Sequence, residues 1–371
     1  MTGFSFDLFA AQQAMQATSF KGVTKFANLL SCFDLGVASR AVGGLLLLPE
    51  MQASTFRLEM LAHAVISSCN GSKTLRQRDL ARWLTEAGKI VGHHEDPAED
   101  VFAGRVSYEG QNYRILEGLS EGGCFHLQLI LRIVENMPEQ FRDLKDGCRA
   151  CLILSEALCE RAGITAFEVG EEYPIHKRVT PNALPALRTL CGWVTFSDAS
   201  LDAIGISRTA LDGYVLPPEN RDVLAKYAGD SPLFRKPFLR FGDHLVVALP
   251  SAIGPAIRSA VIDRCCSLGP QGEQNLRMQH LSLIANQLLE APMIRGIGMT
   301  PSPLSFAPII PSPPVEVDPG YWVQVVLTVD DLSGFEQDGL LGSSRNNARV
   351  EVELNSAIRV ARKQCEASSN F

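Results

Sequence analysis

The sequence predicts an α+β fold: a mainly helical N-terminal part with an inserted β-hairpin, a mixed α/β middle and a C-terminal strand-helix unit. Three observations predict it. Apolar residues recur at helical spacing through most of residues 24–92. The period changes to two over 101–117 and again over 237–249, each time around a tight-turn signal. Proline then crowds 292–320, where neither period persists.

In chain order, Phe56–Ile66 places apolar residues at helical spacing, and Asn70-Gly71 stops that helix. Thr74 is the expected N-cap of a second helix over 75–87, with Leu80, Trp83 and Leu84 on its inner stripe. Val106, Tyr108, Tyr113 and Ile115 alternate with polar residues around Glu109-Gly110, which predicts the hairpin 101–117. Helices over 124–136 and 139–162 follow, divided near Pro138.

In the middle, Trp193–Phe196 is a short strand. Residues 237–249 form the clearest hairpin, with Gly242-Asp243 at its turn and two apolar arms. Helices over 252–266 and 272–290 come next. Pro292, Pro301, Pro303, Pro308, Pro311, Pro313, Pro314 and Pro319 then forbid helix, so 292–320 reads as an extended arm. Tyr321–Val329 reads as a buried strand that joins the sheet of hairpin 237–249, and a helix spans about 347–366. The expected divisions are 1–150, 151–291, the arm 292–320 and the unit 321–371.

Composition excludes several classes. With 371 residues, 46% of them hydrophobic and 20% charged, the chain buries a large core and is not disordered throughout. The net charge of −7 is evenly divided: 15 cations against 17 anions over 1–150, 13 against 15 over 151–291, and 6 against 9 over 292–371. No region is a basic arm, so nucleic acid is not an expected partner. Ten scattered cysteines, no basic-apolar leader and no apolar run near a membrane span of about 20 residues point to a cytoplasmic protein without a membrane partner.

Several clusters carry potential chemistry, each incompletely. His93, His94 and Asp96 lie in a run of metal-ligating residue types, but adjacent histidines diverge on most backbones, and a solvated acidic loop explains them as well. Cys148-x-x-Cys151 with Cys159 is half a zinc pattern, and the three share a helix face that reads as core. Asp330 and Asp331 end a strand, with Glu351 and Glu353 twenty residues on. Carboxylates so placed hold Mg²⁺ in metal-dependent hydrolases, although no lysine follows Glu353.

Residues 56–87, with Arg76, Arg78 and Arg82, and residues 201–211 both hint at helix-turn-helix, the second among Asp198, Asp202 and Asp212. No GxSxG elbow occurs. His63 and His126 read as satisfied helix histidines, and Asp243-His244 as a poor dyad because neighbours on a strand face opposite ways. No cofactor signature is present.

These readings favour a non-catalytic interaction or scaffold protein, one component of a larger assembly, with a protein partner held by Leu304, Phe306, Ile309 and Ile310 of the arm. The alternatives are a nuclease-like metal-dependent hydrolase using Asp330, Asp331, Glu351 and Glu353, and a DNA-binding regulator using 56–87.

Overall fold

A computed structural model describes residues 20–48, 55–91, 103–116, 123–165, 184–224, 231–269, 271–272, 275, 279, 309–311, 315–318, 321–323 and 326–328. Internal contacts divide the chain into Met1–Ala260 and Val261–Phe371.

The first unit begins with four helices: α1 (Phe20–Leu30), α2 (Leu35–Leu45), α3 (Thr55–Ser68) and α4 (Gln77–Val91). Every side chain from Leu58 to Ile66 is buried, so α3 is enclosed on all sides, which explains why its sequence is apolar beyond one stripe. By contrast α4 is two-faced. Leu80, Trp83, Leu84 and Ala87 are buried, and Trp83 meets Phe33 edge to face at 4.9 Å. It starts at Gln77, two residues later than an N-cap at Thr74 would give, because the Asp79 carboxylate accepts the Arg76 backbone N–H at 3.1 Å. Asp34 caps α2 by accepting the Val37 N–H at 2.8 Å.

Glycines let α2 lie directly on its neighbours. A Cβ on Gly43 would stand 2.5 Å from the Val247 carbonyl oxygen, and one on Gly44 would stand 2.4 Å from that of Leu190. Those backbones belong to β5 (His244–Val247) and α7 (Leu187–Trp193). The largest part of the core therefore joins α1–α4 to residues 190–252.

Between these two parts of the sequence lies a locally built group. Strands β1 (Ala103–Tyr108) and β2 (Gln111–Leu116) form the expected hairpin, with both Glu109 (φ 51°) and Gly110 (φ 76°) in the left-handed region that a type I′ turn needs. They pack on α5 (Gly123–Glu135) and α6 (Arg142–Ala162). A left-handed Gly163 ends α6. Arg161 stacks 3.7 Å from the Phe196 ring and donates to the carbonyls of Gly192, Trp193 and Thr195, which caps the end of α7.

The hairpin at 237–249 forms as expected from β4 (Phe238–Phe241) and β5, turning at Gly242 (φ 62°). Its third strand is β3 (Thr195–Ser197), giving the antiparallel order β3-β5-β4. The expectation that 321–329 joins this sheet is corrected. Those residues supply β8 (Tyr321–Val323) and β9 (Val326–Thr328), which pair with the arm itself, at β7 (Val315–Asp318) and β6 (Ile309–Pro311). The pairs nest, Ile309 with Thr328 outside and Asp318 with Tyr321 inside, so the arm folds back on the strand that follows it. Within β7-β8 the register shifts between Glu316 and Asp318.

The short helices α8 (Asp198–Ala203) and α9 (Pro232–Arg235) and the longer α10 (Ile253–Cys266) complete the helical set described. Ser197 and Ser231 cap α8 and α9. No helix of the described residues is long and apolar enough to cross a membrane.

Candidate functional site

The side chains singled out from sequence fall unevenly. His93, His94, Asp96, Asp330, Asp331, Glu351, Glu353, Leu304 and Phe306 lie outside the described residues, as does the side chain of His126. Ile309 and Ile310 form the start of β6. Cys148, Cys151 and Cys159 are fully buried on α6 and act as core. Burial pushes the Cys148 and Cys159 thiols up to about 12 and raises Cys151 as well. Among the described residues, no three His, Cys, Asp or Glu side chains come together as a metal would require.

The densest polar arrangement sits inside the core, on α3. His63 is fully buried and makes two bonds. Its Nδ1 lies 2.7 Å from the Glu59 backbone oxygen and its Nε2 lies 2.9 Å from Ser231 Oγ. A carbonyl oxygen only accepts, so Nδ1 carries the proton. In the neutral ring Nε2 is then the acceptor, and the Ser231 hydroxyl donates to it. Ser231 in turn accepts the Leu233 N–H at 3.3 Å, as the cap of α9. One turn before His63 on the same helix, the Glu59 carboxylate accepts from Ser251 Oγ at 2.6 Å. All four side chains are at most 6% exposed.

This is the connectivity of a serine-histidine dyad with a carbonyl as the orienting group. Its environment directs it to another role. Desolvation lowers His63 to about 4 despite the raising effect of the Glu59 carbonyl, so the ring is neutral and a weak base at neutral pH. The serine has no exposed surface to meet a substrate. The chemistry available is structural: the cluster ties α3 to α9 and to the turn before α10 by hydrogen bonds made inside the core. Reading His63 as a satisfied helix histidine agrees with this placement.

Asp243 and His244 correct the sequence reading. Asp243 belongs to the turn, not to a strand, so the alternation of faces does not separate them. His244 Nδ1 lies 2.7 Å from Asp243 Oδ1. Hydrogen bonding from its own backbone and from His244 holds the Asp243 carboxyl below its ordinary value. The pair is exposed, next to a surface network in which Arg240 and Arg208 bond to the two oxygens of Asp198 at 2.9 and 3.0 Å. That network uses the residues around the second helix-turn-helix hint, and residues 208–214 are a 3₁₀ helix, not a recognition helix.

The first hint places differently. α3 and α4 pack together across the connection 69–76, longer than the three or four residues of a DNA-reading turn. The outer side of α4 presents Arg78, Arg82 and Thr85 to solvent, with Lys73, Thr74 and Arg76 exposed before it. Lys73 pairs with Asp79 at 3.6 Å and lies 4.1 Å from the Phe33 ring centroid. Elsewhere, a cavity of about 190 Å³ is lined by Arg105, Asn112, Tyr113, Arg114 and Thr165. Arg114 is committed there to Glu156 and to the Ile164 carbonyl.

Fold and site together define an α+β protein with a polar centre sealed into a helical core. The chain belongs to the Upx-like family of anti-phage proteins, whose family model matches residues 17–371. Membership at nearly full length places it among proteins of phage defence. No curated protein and no solved structure matches the chain.

Proposed function

We propose that the chain serves phage defence as a non-catalytic interaction component, recruiting a protein partner through the arm and the strands that pair with it. The observation that carries this reading is the nested hairpin over 309–328. Among the described residues, β6-β9 and β7-β8 are each two strands wide. A two-stranded ribbon is marginal in water and leaves unpaired backbone donors and acceptors along its outer edges. An added strand from a partner satisfies them, which is the mode of recognition by strand addition. The arm's sequence carries Leu304, Phe306, Ile309 and Ile310, apolar residues each worth roughly 1.5–3 kcal/mol when buried.

The test is a phage challenge combined with affinity capture, using Phe306→Ser with Ile309→Ser. The expected result is loss of protection by at least tenfold in plating efficiency, with loss of the captured partner and an unchanged melting temperature. A double variant that keeps both its protection and its partner overturns the proposal.

A further inference from the structure

We propose that the exposed side of α4, Arg78 and Arg82 with Lys73 and Arg76 leading into it, binds the phosphate backbone of a nucleic-acid duplex. The inference is independent of the interaction reading above, because it concerns a different surface in a different unit. It begins with charge. Residues 70–85 hold four cations and one carboxylate, a balance of +3; the chain totals −7, so the remaining residues carry −10. A positive segment on a negative protein is a concentrated feature that overall charge conceals.

Placement strengthens the charge argument. Leu80, Trp83 and Leu84 turn inward, and helical periodicity puts Arg78 and Arg82 one above the other on the opposite side, separated by about 6 Å along the axis. Arg76, the residue just before the helix, is exposed as are Arg78 and Arg82, but it stands two positions from Arg78 and so lies off their stripe. Two carboxylates stand near the stripe: Glu86, part-exposed one turn beyond Arg82, and Asp79, which is already engaged. Asp79 is bonded to the Arg76 backbone N–H and paired with Lys73, with its side chain only 16% exposed. Thr74 and Thr85 add exposed hydroxyls, which also bond to phosphate oxygens.

The same geometry selects a duplex over a single strand. Binding of single strands relies on aromatic rings exposed for base stacking. Here Trp83 and Phe33 are 0% and 1% exposed and spent on each other, so the surface offers cations without a stacking platform. Backbone contact without base reading is also what a connection of 69–76 allows, since it does not hold the helix pair as a DNA-reading turn does. The partner is therefore recognised by phosphate, and DNA and RNA duplexes share that chemistry.

Fluorescence anisotropy with labelled 30-base-pair DNA and RNA duplexes tests this at 50, 100 and 200 mM salt on the full chain. Each phosphate contact steepens the slope of log K on log salt by about 0.9, so loss of the two arginine contacts makes it shallower by about 1.8. The expected result is micromolar binding at 50 mM salt, weakened at least tenfold in Arg78→Glu/Arg82→Glu, whose melting temperature stays that of the parent. Arg142→Glu, at a 74% exposed position on α6, is expected to leave binding unchanged. Comparison of the two duplexes identifies which backbone is preferred. Absence of binding to both at 50 mM salt, an unchanged affinity in the double variant, or tighter binding of a single strand overturns the proposal.

Discussion

Acidification should loosen the first unit through one side chain, His63. Its unfolded value is 6.5 and its folded value is about 4. Between those values the unfolded chain binds a proton that the folded core refuses. Stability from this group is therefore fully present above pH 6.5 and is lost as pH falls. Treating it as a single titrating site, the loss is about 2 kcal/mol by pH 5 and about 3 kcal/mol by pH 4. That is a large share of the stability of a typical domain.

Urea unfolding followed by tryptophan fluorescence reads this, with Trp83 as the buried reporter in the same core. Carboxylates also titrate in this range, so the informative quantity is the difference between the parent and His63→Gln. The variant should be less stable at pH 7.5 by about 1–3 kcal/mol, because Ser231 and the Glu59 carbonyl lose well-placed partners. The gap should close as pH falls to 4.5. A gap that stays constant from pH 7.5 to 4.5 would show that His63 is not the buried neutral group described, and the argument from its two bonds would fail.

Gly44→Ala should cost at least about 2–3 kcal/mol, because its Cβ would press on the Leu190 carbonyl rather than on a yielding side chain; a melting curve equal to the parent's refutes that close approach. Asp34→Ala should cost about 1 kcal/mol through loss of the α2 cap, read by the same melts, with Asp34→Asn retaining most of the stability. In the native protein at pH 8, mass mapping after brief alkylation should find Cys32, which is exposed, modified at least a thousandfold faster than Cys148 and Cys159, and rapid labelling of either would contradict their burial.

What was legible in the sequence follows the range of the interactions. Both long-recognised hairpins are fixed by adjacent residues, Glu109-Gly110 and Gly242-Asp243, and appear with the registers those turns dictate. The amphipathic stripe of α4 was equally readable, but its start was set by Asp79 reaching back to Arg76, one local bond against another. The polar centre was not readable as a site. Ser231 is 168 residues from His63, and the other partner of the ring is a backbone atom that no residue type reveals.

The strand at 193–196 is legible in the sequence, but its pairing with the 237–249 hairpin is not, for a related reason. Thr195–Ser197 is only three residues long, so its periodicity carries almost no signal of a partner, whereas the more apolar run at 321–329 pairs with the arm just before it. The alternation of faces that holds inside a strand does not reach the Asp243-His244 contact, because Asp243 is a turn residue.

The route of the chain through the core also bears on its synthesis. α2 rests on backbone from residues 190 and 247, so its glycine-lined surface is covered only after roughly 150 to 200 further residues have been made. At 5–20 residues per second that interval is roughly 10–40 s on the ribosome. The hairpin β1-β2 with α5 and α6, by contrast, finds its main neighbours within some 60 residues and adds contacts to 208–214 and 250–252 only later. The nascent chain therefore carries a middle that is assembled ahead of its beginning, and it is the first four helices whose apolar surface stays uncovered longest.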